Sequence, residues 1–446
     1  MDNTIKLKRG LDLSLAGGAD SDAPVRTPAI NKVSVNPDDF PGFQPRMLVK
    51  EGDSVSAGAP LMCCKRHPEV TLCSPAAGTV TAIVRGERRK ILRVEVTIGN
   101  SNDTIRHTID SSSAQSIRTT LLAGGLWAYM RQRPYDIVPS PEVTPRDIFI
   151  TAFDSAPLAP DLMTVAGGTQ AELDAALKAL AMLTTGKVYL STRSDFRLNV
   201  CEPAVHVTVD GPHPAGNPGI QAANIAPVNK GETIWTLDIV TLMRIGRLIL
   251  TGTADYATTI ALTGSEVITP CYIRAIDCAQ IKPLVSGDIK DDHRHHRIIS
   301  GNVLTGSNVG IDGFLRYPYR QITVIPEGDD VDEFMGWASM SPSKLTASRA
   351  FPLSALRRRF APDARILGGR RAMIMSGVYD KVLPMDILPE YLLKAIQARD
   401  IDRMEQLGIY EVAPEDFALC EFVDPSKIEV QRIVREGLDY LRKELE

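Results

Sequence analysis

The chain has 446 residues, of which 44% are hydrophobic and 23% are charged, values typical of a globular protein of about three domains. Its formal net charge of −4 argues against a nucleic-acid partner, because nucleic-acid binding normally requires a basic face. We find no apolar run of the roughly 18 residues that cross a bilayer, and no signal-peptide segment at the start. We therefore expect a cytoplasmic protein that can lie against a membrane complex.

Seven cysteines are spread along the chain, at positions 63, 64, 73, 201, 271, 278 and 420. An odd number of cysteines in a cytoplasmic chain argues against a disulfide framework. The sequence contains no Cys-x-x-Cys pair, the usual ligand pair of zinc ribbons and ferredoxin-type clusters. We therefore expect neither a cluster nor a structural zinc site built from cysteines.

Residues 1–100 are expected to form short strands separated by Gly and Pro turns. Residues 49–61 have the spacing V-x-x-G-D-x-V-x-x-G-x-x-L, and residues 74–80 read S-P-x-x-G-x-V. This pattern resembles the biotinyl/lipoyl domain family, whose glycines suit positive φ angles at tight turns. The resemblance places His67 at the hairpin tip, where carrier domains have a modified lysine. Since an imidazole cannot form the amide that attaches biotin or lipoate, we expect an unmodified barrel-sandwich domain.

Residues 101–258 alternate between strand and helix patterns. Buried or alternating strands are expected at 147–153, 187–191, 204–210 and 256–262, and helices at 170–183 and 237–250. Such alternation predicts a Rossmann-like α/β layer with a largely parallel sheet. Neither G-x-G-x-x-G nor G-x-x-x-x-G-K-[ST] occurs, so a dinucleotide or nucleoside triphosphate site has no support in the sequence.

Short strands with Gly turns are expected again over residues 259–335, and a mainly helical region over 336–446. The clearest helical patterns are at 388–407 and 427–445. The second pattern has one apolar stripe, formed by Val430, Ile433, Val434, Leu438 and Leu441. The predicted fold class is therefore multidomain α/β and α+β.

One loop after an expected strand is unusually rich in proline and glycine. Its candidate residues are Gly211, Pro212, His213, Pro214, Gly216 and Gly219. In open α/β sheets, loops that follow the carboxyl ends of strands line the ligand crevice. The loop is therefore a candidate for ligand binding or docking, and the alternative is a rigid connector with His213 simply hydrogen-bonded.

A second candidate stretch combines aromatic residues, arginines and a proline: Trp127, Tyr129, Arg131, Arg133, Pro134 and Tyr135. If exposed, these side chains are typical of binding surfaces, where amphipathic rings and guanidinium groups dominate contact energy. If buried, Trp127 and Tyr129 are core residues. The sequence leaves both interpretations open.

The run Asp291-Asp292-His293-Arg294-His295-His296 has the composition of a metal site. Adjacent residues on an exposed turn cannot all converge on one ion, and Arg294 lies among them. We therefore expect a solvated loop, and no metal site in the chain.

Taken in chain order, several stretches resemble the NqrA family of the Na⁺-translocating NADH:quinone reductases. The most specific is Gly211–Gly219 followed by Trp235. The others are Ile5–Asp12, Gly125–Trp127, Arg131–Pro134, Ile148–Asp154, Pro384–Ile387 and Glu415–Cys420. The resemblance covers essentially the whole chain.

This resemblance implies a peripheral subunit on the cytoplasmic face of the bacterial inner membrane, in a six-subunit complex that passes electrons from NADH to quinone and pumps Na⁺. The implied partners are the other subunits, above all the membrane subunit that carries covalent flavin. The implied fold is a lipoyl-like domain, a Rossmann-like layer and a β-grasp (SLBB-like) domain. No covalent cofactor is implied, and quinone is the candidate non-covalent ligand, with residues 127–135 facing the quinone or the membrane partner. The isolated chain is expected not to be catalytic.

Three other functions stay open. The first is a ferredoxin- or NADH-linked electron-transfer subunit related to the flavin subunit of respiratory complex I. The second is a free-standing NADH or acyl-carrier enzyme, and the third is a cofactor-free scaffold without quinone contact. Members of the family commonly carry a second cysteine shortly after the position of Cys420, whereas Asp424 lies there in this chain. This departure puts any thiol-pair function in doubt.

Overall fold

The computed structural model describes residues 3–330, 344–347 and 358–445. In these ranges the chain forms four β-sheets and ten α-helices. The expected helical region from residue 336 is described only in part, because 336–343 and 348–357 lie outside the described residues. None of the described helices has the length and apolarity that a membrane span requires. The mixture of parallel and antiparallel sheets with helices confirms the predicted fold class.

The first hundred residues contain eight short strands: β1 (Thr4–Lys6), β2 (Lys32–Val35), β3 (Pro45–Met47), β4 (Ser54–Val55), β5 (Pro60–Cys64), β6 (Thr71–Cys73), β7 (Gly78–Arg85) and β8 (Ile91–Ile98). β2 to β8 form two small sheets, in the orders β2-β8-β7-β4 and β3-β5-β6. Their inner faces bury Val33, Leu61, Val80 and Val94 completely. β5 and β6 form the expected hairpin, with His67 in its turn.

The central layer contains α1 (Ala114–Ala123), β9 (Arg131–Arg133), β10 (Asp147–Thr151), α2 (Leu162–Ala166), α3 (Gln170–Ala181), β11 (Val188–Thr192), β12 (Ala204–Asp210), α4 (Pro218–Ile225), β13 (Ile234–Asp238) and α5 (Ile239–Thr251). Its strands lie in the order β1-β12-β11-β10-β13-β9, all parallel except β9. The expected strands at 147–153, 187–191 and 204–210 and both expected helices are confirmed to within a few residues, whereas the strand expected at 256–262 forms but belongs to the sheet of the third region. Helix formation is locally encoded: a Thr169–Glu172 capping box begins α3, and Asp238 caps α5.

The edge strand of this layer comes from the start of the chain. β1 pairs in parallel with β12, from Thr4 opposite Thr208 to Lys6 opposite Asp210. The first residues thus belong to the α/β sheet, although we assigned 1–100 as a whole to the barrel-sandwich domain. A strand of three residues has too little periodicity to reveal such a partner in the sequence.

The order of strands reverses beside β10. From β10 the chain passes through α2 and α3 to β11 and then to β12 on one side, and it returns through α4 to β13 on the other side. The carboxyl ends of β10 and β13, at Thr151 and Asp238, therefore lie next to each other. In open α/β sheets, ligands bind in the crevice outside such a reversal point.

The third region contains β14 (Ala257–Thr263), β15 (Cys271–Ile276), α6 (Ile281–Val285), β16 (His296–Ser300), β17 (Ser307–Asn308) and β18 (Gln321–Pro326). The strand order is β15-β14-β18-β16-β17, and only β14 and β18 are parallel. The apolar side of α6 packs on this sheet through Ile281, Leu284 and Val285. A buried bidentate ion pair between Arg244 of α5 and Asp277 fastens the region to the central layer, with N–O distances of 2.5 and 3.0 Å.

The last region contains α7 (Pro389–Ala398), α8 (Ile401–Gln406), α9 (Ala418–Val423) and α10 (Val430–Leu445). The expected apolar stripe of α10 is confirmed, since its five residues are buried against α7 and α9. The single helix expected over 388–407 was wrong. The chain breaks at Arg399, which has a φ of 54°, and Asp400 then caps α8 by accepting from the Arg403 N–H. Apolar spacing continued across the break and concealed it.

Candidate functional site

A cavity of about 420 Å³ opens at the carboxyl ends of β10 and β13. All four regions of the chain contribute to its wall. The barrel-sandwich domain supplies Asp38, Asp39 and Pro41, and the third region supplies residues of 301–321. The C-terminal region supplies Pro414, Glu415 and Gln431. The volume falls within the range of about 300–1,000 Å³ that is typical of small-molecule sites. The cavity is therefore the candidate functional site.

Two helices begin at the floor of the cavity. Asn217 precedes α4, and Asp238 precedes α5, with its carboxylate accepting the Thr241 N–H at 2.7 Å. The N-terminal ends of helices carry a partial positive charge, which favours negative or electron-rich ligand atoms. The Asp238 carboxylate offsets this charge at α5, whereas the side chain of Asn217 makes no cap bond at α4.

Three arginines lie in the wall, and two of them are already paired. Arg316 forms an ion pair with Asp39 at 2.5 Å. Arg131 donates to the Asp39 carbonyl oxygen at 2.7 Å, and its guanidinium lies 5.3 Å from the centre of the Tyr317 ring. These two arginines thus hold the barrel-sandwich domain against the third region.

Arg320 differs from the other two arginines. It is only 6% exposed, and within the described ranges Nε and Nη2 have no hydrogen-bond acceptor. Its nearest carboxylate, Asp277, lies 3.7 Å from Nη1 and is already held bidentately by Arg244. Leaving a buried charged donor unsatisfied costs on the order of 1–3 kcal/mol. An oxygen-bearing ligand in the cavity would remove that cost.

His213 supplies a second polar atom, Nε2, that has no hydrogen-bond partner among the described residues. Its Nδ1 lies 3.0 Å from Ser155 Oγ, and this oxygen accepts the Gly216 N–H at 2.8 Å. Burial lowers the pKa of His213 to about 4, so the ring is neutral at pH 7. When the Ser155 hydroxyl donates to Nδ1, the ring proton lies on Nε2, which has no hydrogen-bond partner among the described residues.

Aromatic rings form much of the remaining wall. Tyr317 stacks on Phe40, with ring centres 5.1 Å apart and planes 2° apart, and meets Tyr129 edge-on at 4.7 Å. The Tyr317 hydroxyl donates to the Tyr129 carbonyl oxygen at 2.6 Å. Burial raises the pKa of Tyr317 to about 12, so the phenol stays protonated. Such rings offer faces and edges to a planar ligand.

The structure divides the candidate stretch 127–135. Tyr129 and Arg131 line the cavity. Trp127 lies in the core, where its ring meets Trp235 edge-on at 5.1 Å and its Nε1 donates to the Pro139 carbonyl oxygen at 2.8 Å. For Trp127 the structure thus supports core packing over an exposed binding surface.

The remaining residues of this stretch face the C-terminal helices. Arg133 is buried and donates to Asp416 Oδ2 and to the Glu411 carbonyl oxygen, both at 2.7 Å. Pro134 follows in a cis peptide, and the Tyr135 carbonyl oxygen accepts from Arg435 at 2.6 Å. Arg133, Pro134 and Tyr135 are not part of the cavity wall. Arg133 therefore attaches the C-terminal region instead of contacting a ligand.

The loop 211–219 is also divided. His213 and Gly216 line the cavity, whereas Gly211, Pro212, Pro214 and Gly219 do not. Gly219 has a packing function, since a Cβ there would collide with the guanidinium of Arg133. The loop thus acts partly as the rigid connector of the alternative interpretation, and it brings His213 to the site.

The segment 316–320, Arg-Tyr-Pro-Tyr-Arg, was missed in the sequence. It supplies two arginines and two tyrosines to the cavity wall. Its combination of aromatic residues, arginines and a proline matches the composition that singled out residues 127–135. The same signal was therefore available in the sequence.

Comparison with known families gives three matches in chain order. Residues 5–99 match the NqrA N-terminal barrel-sandwich hybrid domain, 112–254 the NqrA second alpha/beta domain, and 259–310 the NQRA C-terminal domain, of SLBB type. These matches confirm the barrel-sandwich, α/β and SLBB-like folds expected from the sequence.

Full-length relatives extend the match over the whole chain. The NqrA subunit of the Na(+)-translocating NADH-quinone reductase of Serratia proteamaculans is 37% identical over 99% of this chain and 100% of its own length. The NqrA subunit of Neisseria meningitidis serogroup B is 34% identical over the same shares, and that of Rhodopirellula baltica is 37% identical over 98% of both chains. A solved NAD⁺-reducing [NiFe]-hydrogenase has a TM-score of 0.38 at 11% identity over 76% of this chain and 62% of its own, too low to support structural equivalence. The chain thus belongs to the NqrA family of Na⁺-translocating NADH-quinone reductase subunits.

Proposed function

We propose that this chain is a peripheral subunit that docks on the membrane subunits of the Na⁺-pumping reductase from the cytoplasmic side. We further propose that it contributes to the quinone-reducing end by holding a quinone headgroup non-covalently in the cavity. The observation that carries this proposal is the buried guanidinium of Arg320, which has two nitrogens without an acceptor among the described residues. Electron transfer from NADH is assigned to the other subunits.

The chemistry of the wall suits a quinone. A quinone is planar and neutral, and it has two carbonyl oxygens that accept hydrogen bonds. Nε and Nη2 of Arg320 and the Nε2–H of His213 are donors without acceptors in the described part of the chain, and Tyr129 and Tyr317 offer aromatic surface to the ring. A hydrogen bond to a charged donor contributes about 1.5–3 kcal/mol. Loss of the Arg320 guanidinium should therefore weaken binding roughly 10- to 100-fold.

An exposed apolar surface supports the docking part of the proposal. Ile374, Met375, Leu388 and Tyr391 are all exposed, and we call them the C-terminal apolar patch. The Glu390 carboxylate accepts hydrogen bonds from the N–H groups of residues 376 and 377 at 2.9 and 2.8 Å. These bonds hold the segment that follows Ile374 and Met375 beside the start of α7. Contiguous exposed apolar side chains are typical of protein interfaces. We assign this patch to a membrane partner, above all the one that carries flavin.

The quinone part is tested by calorimetric titration of the purified chain with ubiquinone-1. We expect saturable binding to the wild type, at least about 10-fold weaker binding to Arg320→Gln, and wild-type affinity for Arg297→Gln. Arg297 is a suitable control, because it lies in the same region but pairs with Glu327 outside the cavity wall. Absence of saturable binding to the wild type would overturn the quinone assignment and favour a scaffold without quinone contact.

A further inference from the structure

Three potential metal ligands meet at one end of the SLBB-like sheet, away from the cavity. Glu266 follows β14, His296 begins β16, and Asp292 lies in the connection that leads to β16. The sequence suggested that the run 291–296 is only a solvated loop, because neighbouring residues cannot converge. Residues 291–295 are indeed exposed, and the structure also brings two residues of the run, four positions apart, together with a third donor from a distant part of the chain.

The separations of the donor atoms match those around a single ion. His296 Nε2 lies 3.2 Å from Asp292 Oδ1 and 3.6 Å from Glu266 Oε2, and all three donor atoms lie within 4.8 Å of one another. Tetrahedral zinc has ligand bonds of about 2.0–2.2 Å, which place neighbouring ligand atoms about 3.3 Å apart. The two separations measured from the histidine lie on either side of that value.

The direction of the ring nitrogen also favours a shared ion over direct hydrogen bonds. His296 Nε2 is buried, and in the described part of the chain no acceptor lies in hydrogen-bonding geometry with it. Asp292 Oδ1, at 3.2 Å from Nε2, is near enough for a hydrogen bond but is not in hydrogen-bonding geometry, and Glu266 Oε2, at 3.6 Å, lies just beyond that distance. Oxygens that share an ion with this nitrogen would have such separations from it without a hydrogen bond.

The surrounding contacts hold the two carboxylates in place. Ser265 Oγ donates to Glu266 Oε1 at 2.9 Å, and the Arg294 N–H donates to Asp292 Oδ1 at 3.3 Å. Lys290 Nζ lies 3.8 Å from Glu266 Oε1, which leaves Oε2 as the atom that faces the histidine. Hydrogen bonds of this kind orient the ligands of metal sites.

Exposure differs across the group. The side chains of Glu266 and His296 are 7% and 12% exposed, whereas that of Asp292 is 32% exposed. The inner side of the group is thus closed and its outer side is accessible to water. This asymmetry leaves room for a fourth, solvent ligand on the side of Asp292.

We propose that Glu266, Asp292 and His296 bind one divalent transition-metal ion of the Zn²⁺ class, with water as the fourth ligand. One imidazole and two carboxylates are a donor set that zinc accepts, whereas Ca²⁺ takes six to eight oxygens and Mg²⁺ an octahedral oxygen shell. The two carboxylates balance the charge of the ion. The ion ties the connection before β16 to the end of β14.

The test is equilibrium dialysis of the chelator-treated full chain against Zn²⁺, with bound metal read by mass spectrometry. We expect one zinc per chain, a raised unfolding temperature with zinc, and no displacement by excess Mg²⁺. Glu266→Gln and His296→Ala should each weaken binding on the order of 100-fold or more. His295→Ala is the matched control, because His295 lies in the same run but pairs with Asp329 at 2.8 Å; it should bind like the wild type.

Three outcomes would overturn the proposal: no zinc on the wild-type chain, unchanged binding in His296→Ala, or equal loss in His295→Ala. Circular dichroism of each variant without metal shows whether the fold is retained. If Glu266→Gln is misfolded, Asp292→Asn replaces it, since the more exposed Asp292 is a milder site for substitution.

Discussion

The attachment of the C-terminal helices is predicted to depend on one buried ion pair. Arg133 and Asp416 have side chains that are 1% and 0% exposed, and Nη1 lies 2.7 Å from Oδ2. Burial lowers the pKa of Arg133, but the carboxylates of Asp416, Asp136 and Glu415 together outweigh it, so the pKa lies above its ordinary value and the guanidinium stays charged. Removal of one partner from a buried pair costs about 3–5 kcal/mol, because the other charge remains without compensation.

Asp416→Asn is the perturbation that isolates this charge. The asparagine keeps the shape of the side chain and can still accept the Ala413 N–H, which Asp416 Oδ2 accepts at 2.9 Å. If the free energy of opening the C-terminal helices falls by about 3 kcal/mol, amide exchange in α10 should become about 100-fold faster. Hydrogen–deuterium exchange of the full chain, read on peptides of α10, measures this directly.

The control is Glu436→Gln, which removes an exposed ion pair with Arg432 on the outer face of α10. It should leave exchange unchanged, since exposed pairs contribute little. The double variant Arg133→Met/Asp416→Leu should lose less stability than the two single changes added together. Unchanged exchange in Asp416→Asn, or equal acceleration in Glu436→Gln, would refute the reasoning.

Three further predictions concern a histidine, a glycine and the C-terminal apolar patch. Because the pKa of His213 falls from 6.5 to about 4 on folding, the unfolded chain binds its proton first as the pH falls. The free energy of unfolding should thus keep its full value above pH 6.5 and fall by about 3 kcal/mol between pH 6.5 and 4. Urea titrations at a series of pH values should show a smaller fall for His213→Gln than for the wild type. Gly219→Ala should lower stability by about 1–3 kcal/mol in the same assay, because its Cβ collides with a buried guanidinium, whereas Gly369→Ala, where a Cβ meets open space, should have little effect. Tyr391→Asp should weaken pull-down of the membrane subunits by about 30-fold. Leu92→Asp, which changes an exposed residue of the barrel-sandwich domain, should leave the pull-down unchanged. Equal effects of the two changes would exclude the C-terminal apolar patch as the docking surface.

Most of the regular structure could be predicted because its signals are local. The strand at 147–151 is buried throughout and contains the apolar run Ile148–Ile150, and α10 has a stripe at helical spacing. Capping residues such as Thr169 and Asp238 mark where helices begin. The break at Arg399 could not be predicted, since a single residue with positive φ leaves the apolar spacing of the flanking turns intact.

The site was predictable only in part, because it is assembled from four regions. Composition singled out Tyr129 and Arg131, and the loop pattern singled out His213. Neither signal could separate Trp127, a core residue, from its neighbours, since both kinds of position favour aromatic side chains. The convergence of Glu266 with His296 depends on sheet topology, which spacing along the chain does not encode.

The central claim is that this protein holds a quinone headgroup in the cavity beside Arg320. Its most direct test is photolabelling of the assembled complex with a photoreactive ubiquinone, followed by mapping of the labelled peptides. The proposed function predicts label on the segments around Arg131 and residues 316–321 of this chain, displaced by excess ubiquinone-1. Label confined to the membrane subunits, with none displaceable on this chain, would contradict it.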